Sequence, residues 1–315
     1  MTPLAHLAAQ IRASPALKAK RELALLRRLQ ASLDGDDGAA IRHGNAYLIV
    51  CGEAIQPAFV RRDPHGAGAA AVVTNVSDVR AMGGRPLGLL DMLISPDRAH
   101  ADAVLEGIAW AANLLGVEVV GGHLTLGGEP ALSASCTGVA TRPLRAASAR
   151  AGDELLAAFC LEGRYGAGTP FFSSLRDRRP DALRDDGEAL VEVAESGAVH
   201  AARDVSMPGV AGSLLQLLEA AGCGATLDVE RVPRPGGVSA ERWLFTFPSF
   251  GFLLVAPPGA AGAAAAPFLR RGLSCAPVGR LDDSRTLRLT APGESIVLWD
   301  LDREPFTHLG PAEST

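Results

Sequence analysis

TNVSDVRAMGGRP, at residues 74–86, is typical of the end of a helix, and this helix of small residues is predicted to begin near Pro64. Its Gly-Gly-Arg-Pro end favours a stop, since glycine is common at the C-cap and proline just beyond it. Asn75 and Asp78 are three residues apart, which predicts both side chains on one helix face. A carboxamide beside a carboxylate suits a hard cation that binds oxygen. The alternative is that both are solvated on the outer stripe of an amphipathic helix.

Length and composition predict a two-domain protein. The chain has 315 residues, more than one ordinary domain, and its hydrophobic fraction of 48% is ample for buried cores. A net charge of -5, with no basic run interleaved with aromatics, argues against nucleic acid as a partner. No apolar run could span a membrane and no signal peptide is evident, so we expect a cytoplasmic protein without membrane contact.

The cysteines favour a reducing compartment. They are odd in number and never form a C-x-x-C pair, which predicts free buried thiols. They are Cys51, Cys136, Cys160, Cys223 and Cys275.

The first segment, Leu4–Leu33, is predicted to be an amphipathic surface helix in which leucines alternate with basic residues. A solvated basic face is the simpler interpretation. Because N-terminal segments are often mobile, Lys18, Lys20 or Arg21 could instead reach an anionic ligand.

An acidic turn at residues 34–39, DGDDGA, precedes a strand predicted at Ala46–Cys51. It is either a simple hairpin turn or a place where Asp36 and Asp37 share a divalent ion. Close carboxylates that both stay ionised repel each other, and a cation relieves the repulsion. Glu53 is expected at the end of the strand, where ligand-binding groups often lie.

Residues 66–71 fit the dinucleotide-binding pattern G-x-G-x-x-A, with Asp91 about twenty residues further on. These glycines follow Asp-Pro-His rather than a buried apolar strand, so an NAD(P)-binding Rossmann protein is the least favoured interpretation. The pattern G-x-x-x-x-G-K-[ST] does not occur, which excludes a P-loop.

The following elements are predicted as a buried strand, a helix and a second strand, at 86–94, 95–116 and 117–120, with Ser95-Pro96 starting the helix. Gly121 and Gly122 are then expected at a strand end, where backbone amides can approach a phosphate closely. His123 alone would more often be a packed or surface imidazole than a ligand.

The second half is predicted to alternate strands and helices. Strands are expected at 131–140, 153–159, 225–229 and 250–255, and residues 143–152 are a plausible domain joint. Arg176–Asp186 is strongly charged and is expected to be a solvated connection. Asp204 precedes a helix predicted at Gly209–Ala221, whose first amide groups would be free for an anion.

Five motifs occur in a recognisable order. They are Gly-Asp-Asp at 35–37, Asn-Val-Ser-Asp with Ala-Met-Gly-Gly-Arg-Pro at 75–86, Gly-Gly-His-Leu-Thr at 121–125, Gly-Asp-Glu-Leu-Leu at 152–156 and Asp-Val-Ser at 204–206. Each alone is weak, but together they resemble the AIR synthetase (PurM-like) superfamily of ATP-dependent enzymes, over roughly residues 30 to 300.

The resemblance implies an α/β plus α+β two-domain fold. An N-terminal α/β domain, residues 1–145, would pair its strands across a homodimer as a barrel, and residues 146–315 would form an α+β sandwich. ATP and Mg²⁺ would bind between the domains, with a small-molecule substrate beside them.

The resemblance also implies roles for particular residues. The metal ligands would be Asp36, Asp37, Glu53, Asn75, Asp78 and Asp204. The cofactor-binding residues would be Asp36, Glu53, Asn75, Gly121, Gly122, His123 and Asp204. The catalytic residues would be Asp78, Asp37 and Lys18.

Departures from the family pattern leave the substrate open. Met207-Pro208 stands where relatives often have a second acidic residue, and no cysteine precedes Cys51, unlike the selenophosphate branch. The expectation is therefore a divergent ATP-dependent kinase or ligase (cyclo-ligase) acting on an oxygen of a small molecule. The alternative, which Met207-Pro208 favours, is a nucleotide-binding module without catalysis.

Overall fold

The computed structural model describes residues 2–29, 34–166 and 169–310. These form two compact units. Unit 1 comprises Met1–Asp36, Leu144–Asp177 and Glu192–Thr315, and unit 2 comprises Asp37–Pro143 and Arg178–Val191. The chain thus passes from unit 2 to unit 1 two residues before the predicted boundary at 145. Residues 1–36 belong to unit 1, although the rest of the N-terminal half forms unit 2. Residues 178–191 belong to unit 2, although the rest of the C-terminal half forms unit 1.

The N-terminal segment of unit 1 is not one helix. It forms α1 (Pro3–Ala13), α2 (Pro15–Arg21) and a 3-10 helix (Glu22–Leu29). Pro15 lacks the N–H that would continue α1 and instead starts α2, so the prediction of a single helix is wrong. Residues 30–33, also included in that prediction, lie outside the described residues.

Unit 2 is built on a five-stranded sheet with the order β1-β2-β5-β3-β4. Pairing is antiparallel except between β3 and β4, which are parallel and joined by a helix. The elements are β1 (Ala39–His43), β2 (Ala46–Ile55), α3 (Pro57–Arg62), α4 (Pro64–Ala81), β3 (Arg85–Ser95), α5 (Arg98–Leu115), β4 (Val119–Leu126) and β5 (Ala131–Ala140).

Helix α4 confirms the prediction from residues 74–86. It begins at Pro64 and ends at Ala81. Gly83 then has a φ of 70°, and the amide of Gly84 donates to the carbonyl oxygen of Val79 at 3.0 Å, which closes the helix end.

The two faces of this sheet differ. Along β3, Leu89 and Leu93 are buried on the face that α4 covers, whereas Leu90 and Met92 are each 43% exposed on the other face. The prediction of a buried strand is therefore correct for only one of its faces. One apolar face of the sheet has no cover within the described part of this chain.

The charged segment 176–186 is not a solvated connection. Helix α6 (Pro180–Ser196) begins within it. The guanidinium of Arg178 donates to buried Asp186 at 2.7 Å, and Arg85 pairs with Glu188 at 2.9 Å. Burial lowers the pKa of Arg80, which packs against α6, to about 10. These contacts attach residues 178–191 to unit 2.

The rest of unit 1 contains a seven-stranded sheet, β15-β14-β10-β13-β6-β12-β9, and a small sheet, β11-β8-β7. Its core packs around α7 and the aromatic residues Trp243 and Phe306. The elements are β6 (Glu154–Phe159), β7 (Arg164–Tyr165), β8 (Phe171–Ser173), β9 (Ala201–Asp204), α7 (Gly209–Ala221), β10 (Gly224–Asp228), α8 (Ala240–Leu244), β11 (Phe247–Pro248), β12 (Gly251–Ala256), α9 (Ala261–Leu269), β13 (Ser274–Asp282), β14 (Thr286–Ala291) and β15 (Glu294–Asp300).

Two element ends differ from prediction. Helix α5 is capped by Asp97, whose Oδ1 accepts from the amide of His100 at 2.9 Å, while Ser95 still belongs to β3. Strand β2 continues past Cys51 to Ile55. Among the helices that the structure describes, none combines the length and apolar character needed to cross a membrane.

Candidate functional site

Helix α4 holds Asn75 and Asp78, the two polar residues predicted to share one helix face. Asn75 is 0% exposed and Asp78 is 6% exposed. The alternative that both are solvated on an outer stripe is therefore wrong. A buried carboxylate is uncommon unless another group compensates its charge.

Asp37 lies beside Asp78. One carboxylate oxygen of each lies within 4.8 Å of the other, although 41 positions separate them in the sequence. Asp37 lies two residues before β1. Gly38, between them, packs closely on β2, where an added Cβ would lie 3.2 Å from the carbonyl oxygen of Val50. The segment that leads into the β1–β2 hairpin thus places Asp37 next to helix α4.

Asn75 links α4 to the sheet beneath it. Its Nδ2 donates to the carbonyl oxygen of Ala71 at 2.8 Å. The thiol of Cys51 donates to the Asn75 carbonyl oxygen at 3.4 Å and lies 3.7 Å from its Oδ1. Asn75 thereby fixes the turn of α4 that leads to Asp78. Its predicted role as a metal ligand stays a prediction.

The charge of Asp78 affects the pKa of two thiols in the sheet beneath α4. Cys51 of β2 lies directly opposite Cys136 of β5. Burial first, and then the negative charge of Asp78, raises the pKa of both thiols, that of Cys136 to about 12. Both are therefore neutral at physiological pH, consistent with free buried thiols.

Glu53 is inside β2, two residues before its end, rather than past it. It shares a face of the strand with Cys51, two residues earlier, and its charge also raises the pKa of that thiol. Glu53 therefore lies on the same side of the sheet as α4.

Asp36 belongs to unit 1 and is held in a fixed turn there. Its Oδ1 accepts from the amide of Ala146 at 2.8 Å, and Arg203 donates to the carbonyl oxygen of Gly35 at 2.7 Å. Arg145 pairs with Asp34. One oxygen of Asp36 thus accepts a hydrogen bond from the protein, and Asp36 anchors this turn within unit 1.

The C-terminal segment of unit 1 supports the same turn. Gly35 has a φ of 74°, and an added Cβ would lie 2.8 Å from the carbonyl oxygen of Leu309. Buried Glu219 on α7 accepts from the amides of Phe306 and Thr307, both at 2.7 Å. This one carboxylate therefore holds the segment against which Gly35 packs.

The Gly-Gly-His motif is in the middle of β4, not at a strand end. His123 pairs in parallel register with Met92, and Gly122 with Asp91. Parallel partners share a face, so His123 belongs to the exposed face, opposite the one covered by α4. The strand-end prediction is wrong, while the cofactor roles of Gly121, Gly122 and His123 stay predictions.

Asp91 is a buried carboxylate, which its place in the Rossmann pattern did not predict. It is 6% exposed on β3, and burial raises its pKa. Its side chain occupies the space over Gly122 that a Cβ would need. The signal in the sequence that could have identified Asp91 is an acidic residue within an otherwise apolar predicted strand.

The remaining predicted residues belong to unit 1. Asp204 is buried at the end of β9, opposite Phe252 of β12. Lys18 is exposed on α2.

The Rossmann pattern at 66–71 lies within α4 rather than after a strand, so the context that it requires is missing.

Two family models match most of the chain. The model of the AIR synthase related protein, N-terminal domain, matches residues 35–140, and that of the C-terminal domain matches residues 173–291. Protein sll0787 of Synechocystis sp., itself uncharacterised, is 34% identical over 87% of this chain and 85% of its own length.

Two solved structures show the same fold. Thermotoga maritima PurL complexed with ADP has a TM-score of 0.72 and 22% identity over 83% of this chain and 44% of its own. AaThiL complexed with AMPPCP and TMP has a TM-score of 0.68 and 20% identity over 90% of this chain and 94% of its own. This chain thus spans less than half of that PurL.

These likenesses confirm the predicted two-domain α/β plus α+β fold, while strand pairing across a homodimer stays a prediction. Both domain models match in the order that the five sequence motifs anticipate. The chain belongs to the AIR synthase related family.

Proposed function

We propose that this protein is an ATP- and Mg²⁺-dependent phosphoryl-transfer enzyme, of kinase or ligase (cyclo-ligase) type, that activates an oxygen of a small molecule. The observation that carries the proposal is the close approach of the Asp37 and Asp78 carboxylates. Two ionised carboxylates at this separation repel each other, and oxygen-binding Mg²⁺ relieves the repulsion. The nucleotides bound to PurL and AaThiL support ATP as the cosubstrate.

The donor set suits magnesium. Asp37 and Asp78 would hold the ion, with Glu53, Asp36 and Asn75 as further oxygen groups and Asp204 included from the family resemblance. Mg²⁺ would offset the charge of the ATP phosphates during transfer of the terminal phosphoryl group. Asn75 keeps the turn of α4 that bears Asp78 in place. Lys18, Gly121, Gly122 and His123 are proposed to contact nucleotide or substrate.

Calorimetry with AMPPCP tests the proposal. We expect AMPPCP to bind with Mg²⁺ present and to lose at least about tenfold in affinity when EDTA removes the metal, because the phosphates would then face unscreened carboxylates. Equal affinity with and without the metal would contradict the assignment. Adenosine, which has no phosphates, serves as the control for binding through the base and ribose.

The second candidate is a nucleotide-binding module without catalysis, favoured by Met207-Pro208. In that case AMPPCP binds with Mg²⁺, but no phosphate is released from ATP across a panel of alcohol, carboxylate and carbonyl acceptors. We favour catalysis because Asp37 and Asp78 are kept together despite their mutual repulsion.

We also propose that the exposed apolar face of the unit 2 sheet pairs with a second copy. A contiguous apolar surface of this kind usually marks an interface, and Leu90, Met92 and Ile94 contribute to it from β3. His123 shares that face, so a contact between His123 and nucleotide or substrate would lie where the two copies meet.

Replacing Leu90 and Met92 together by lysine is expected to convert a dimer into a monomer, because charges placed in an apolar interface oppose association. Light scattering after gel filtration measures the number of chains. The control is Val297→Lys, at an exposed apolar position in unit 1. A native protein that is already monomeric, or a variant that stays dimeric, would contradict the proposal.

A further inference from the structure

Unit 1 contains a cavity that the proposed phosphoryl-transfer site does not use. Its volume is about 680 Å³, within the range of small-molecule sites. It lies between the junction of α1 and α2, the end of β7 and the helix α8. Apolar groups from Pro15, Pro170 and Phe245 form much of its wall.

Arg242 provides a fixed positive charge at this cavity. Its guanidinium carbon lies 3.8 Å from the centre of the Tyr165 ring, a cation–π contact. Within the described part of the chain, the guanidinium has no ion-pair partner. Its donor groups are thus held in place and available for an oxyanion, which guanidinium binds in a bidentate manner.

The ring under Arg242 is itself held firmly. The Tyr165 hydroxyl lies 2.7 Å from Oγ1 of buried Thr246, which donates to the backbone carbonyl oxygen of Arg242 at 3.0 Å. Phe172 packs edge-on against the ring, with centroids 5.2 Å apart. The guanidinium therefore rests on a preorganised support, which reduces the entropy lost on ligand binding.

Two other groups favour a positively charged hydrogen-bond donor in the same ligand. Gln10 lines the cavity, and its buried Oε1 has no hydrogen-bond partner among the described residues. A buried acceptor without a partner is unfavourable, and an incoming N–H group would satisfy it after a small side-chain movement. Glu241 also lines the cavity and supplies a negative charge next to Arg242.

We propose that this cavity binds a small zwitterion of the amino-acid type: an oxyanion on Arg242, an ammonium group towards Gln10 and Glu241, and an apolar body against Pro15, Pro170 and Phe245. The arrangement is independent of ATP and Mg²⁺ and does not rest on the proposed function. The oxyanion can be a carboxylate or a phosphonate or phosphate group, because a guanidinium accepts each of them.

The test uses L-phenylalanine as the probe, measured by ligand-observed NMR on the full chain without ATP or Mg²⁺. From its size we expect a Kd of about 1 mM. Phenylalaninamide lacks the oxyanion and 3-phenylpropionate lacks the ammonium group, and each is expected to bind at least about tenfold more weakly. The phosphonate analogue of phenylalanine distinguishes the two kinds of oxyanion by its affinity relative to the amino acid.

Three variants assign the binding to this cavity. Arg242→Ala should weaken phenylalanine binding at least about tenfold. Glu241→Gln should weaken phenylalanine binding but strengthen 3-phenylpropionate binding, because it removes a charge that repels a simple acid. Arg303→Ala removes an exposed positive charge elsewhere in unit 1. It should leave the affinities for phenylalanine and for 3-phenylpropionate unchanged.

Arg242 and Glu241 are both exposed, so the two substitutions should leave the fold intact, and circular dichroism checks this. Absence of phenylalanine and phosphonate binding up to about 20 mM, some twenty times the expected Kd, would overturn the proposal. Equal affinity for phenylalaninamide and phenylalanine would overturn it as well, and so would an unchanged affinity for phenylalanine in Arg242→Ala. Failure of AMPPCP to bind would contradict only the proposed function.

Discussion

Replacing Asp78 by asparagine is expected to reduce the rate of Mg²⁺-dependent phosphate release from ATP by about 100- to 1000-fold, as for the loss of other preorganised charge-stabilising groups. The change keeps the shape of the side chain and removes only the charge. Because Asp37 would then be the sole aspartate of the pair, the metal loses a ligand where the phosphates require one. Phosphate release with and without Mg²⁺ measures the effect.

The same substitution should act in the opposite direction on stability. Without Mg²⁺, removing the Asp78 charge relieves its repulsion with Asp37, and the free energy of unfolding should rise by up to about 1 kcal/mol after allowance for solvent screening. With Mg²⁺ and AMPPCP at about 100 times Kd, the native protein should gain about 2.7 kcal/mol. Asp78→Asn should lose most of that gain.

Asp102→Asn is the matched control, because Asp102 is an exposed aspartate on α5 of the same unit. It should leave the rate and the ligand-induced stabilisation unchanged. If Asp78→Asn destabilised the metal-free protein and released phosphate at the native rate, Asp78 would have a structural role rather than a role in metal binding.

Local sequence signals predicted those elements whose ends are defined by backbone chemistry. Helix α4 stops at Gly-Gly-Arg-Pro, and α7 occupies the predicted residues, Gly209–Ala221. The errors arose where a residue has a use that only tertiary structure reveals. Gly122 resembled a strand end, but it is glycine because the Asp91 side chain occupies the adjacent space. Arg178 and Asp186 resembled solvated charges, but they bind each other in unit 2.

The candidate site shows the same limit. Adjacent aspartates 36 and 37 are equivalent by any local criterion, yet Asp36 accepts from the amide of Ala146 while Asp37 lies next to Asp78. That contact joins residues 41 positions apart, so no periodicity could have predicted it. Only the family resemblance, through its ordered motifs, assigned Asp37 and Asp78 to one site. The cavity at Arg242 has no such motif, and only the folded chain shows it.

Helix α4 can present Asp78 only if it packs correctly on α5, and two glycines determine this packing. A Cβ added to Gly68 of α4 would overlap the carbonyl oxygen of Val104, and one added to Gly107 of α5 would overlap that of His65. The contact is reciprocal: each helix places a glycine against the backbone of the other. Unlike a side chain, a backbone carbonyl cannot move aside by changing rotamer.

Gly107→Ala is therefore expected to lower the free energy of unfolding by about 1 to 2 kcal/mol. Alanine gains up to about 1 kcal/mol of helix propensity, but separating the helices strains the buried core, typically by 1–3 kcal/mol and occasionally more. We expect the second effect to dominate because Val104 and Ile108 are fully or almost fully buried at the contact. Urea unfolding monitored by circular dichroism measures the difference.

Gly262→Ala on α9 provides a control with the opposite sign. No described atom comes within 4 Å of the added Cβ, and the residue is exposed, so only the helix propensity remains and stability should rise by up to about 1 kcal/mol. A displacement of α4 by about 1 Å in Gly107→Ala should also lower phosphate release by about 100-fold, since catalysis depends on ligand position to that precision. If Gly107→Ala were as stable as the native protein, the close approach of α4 and α5 would not be what sets the position of Asp78.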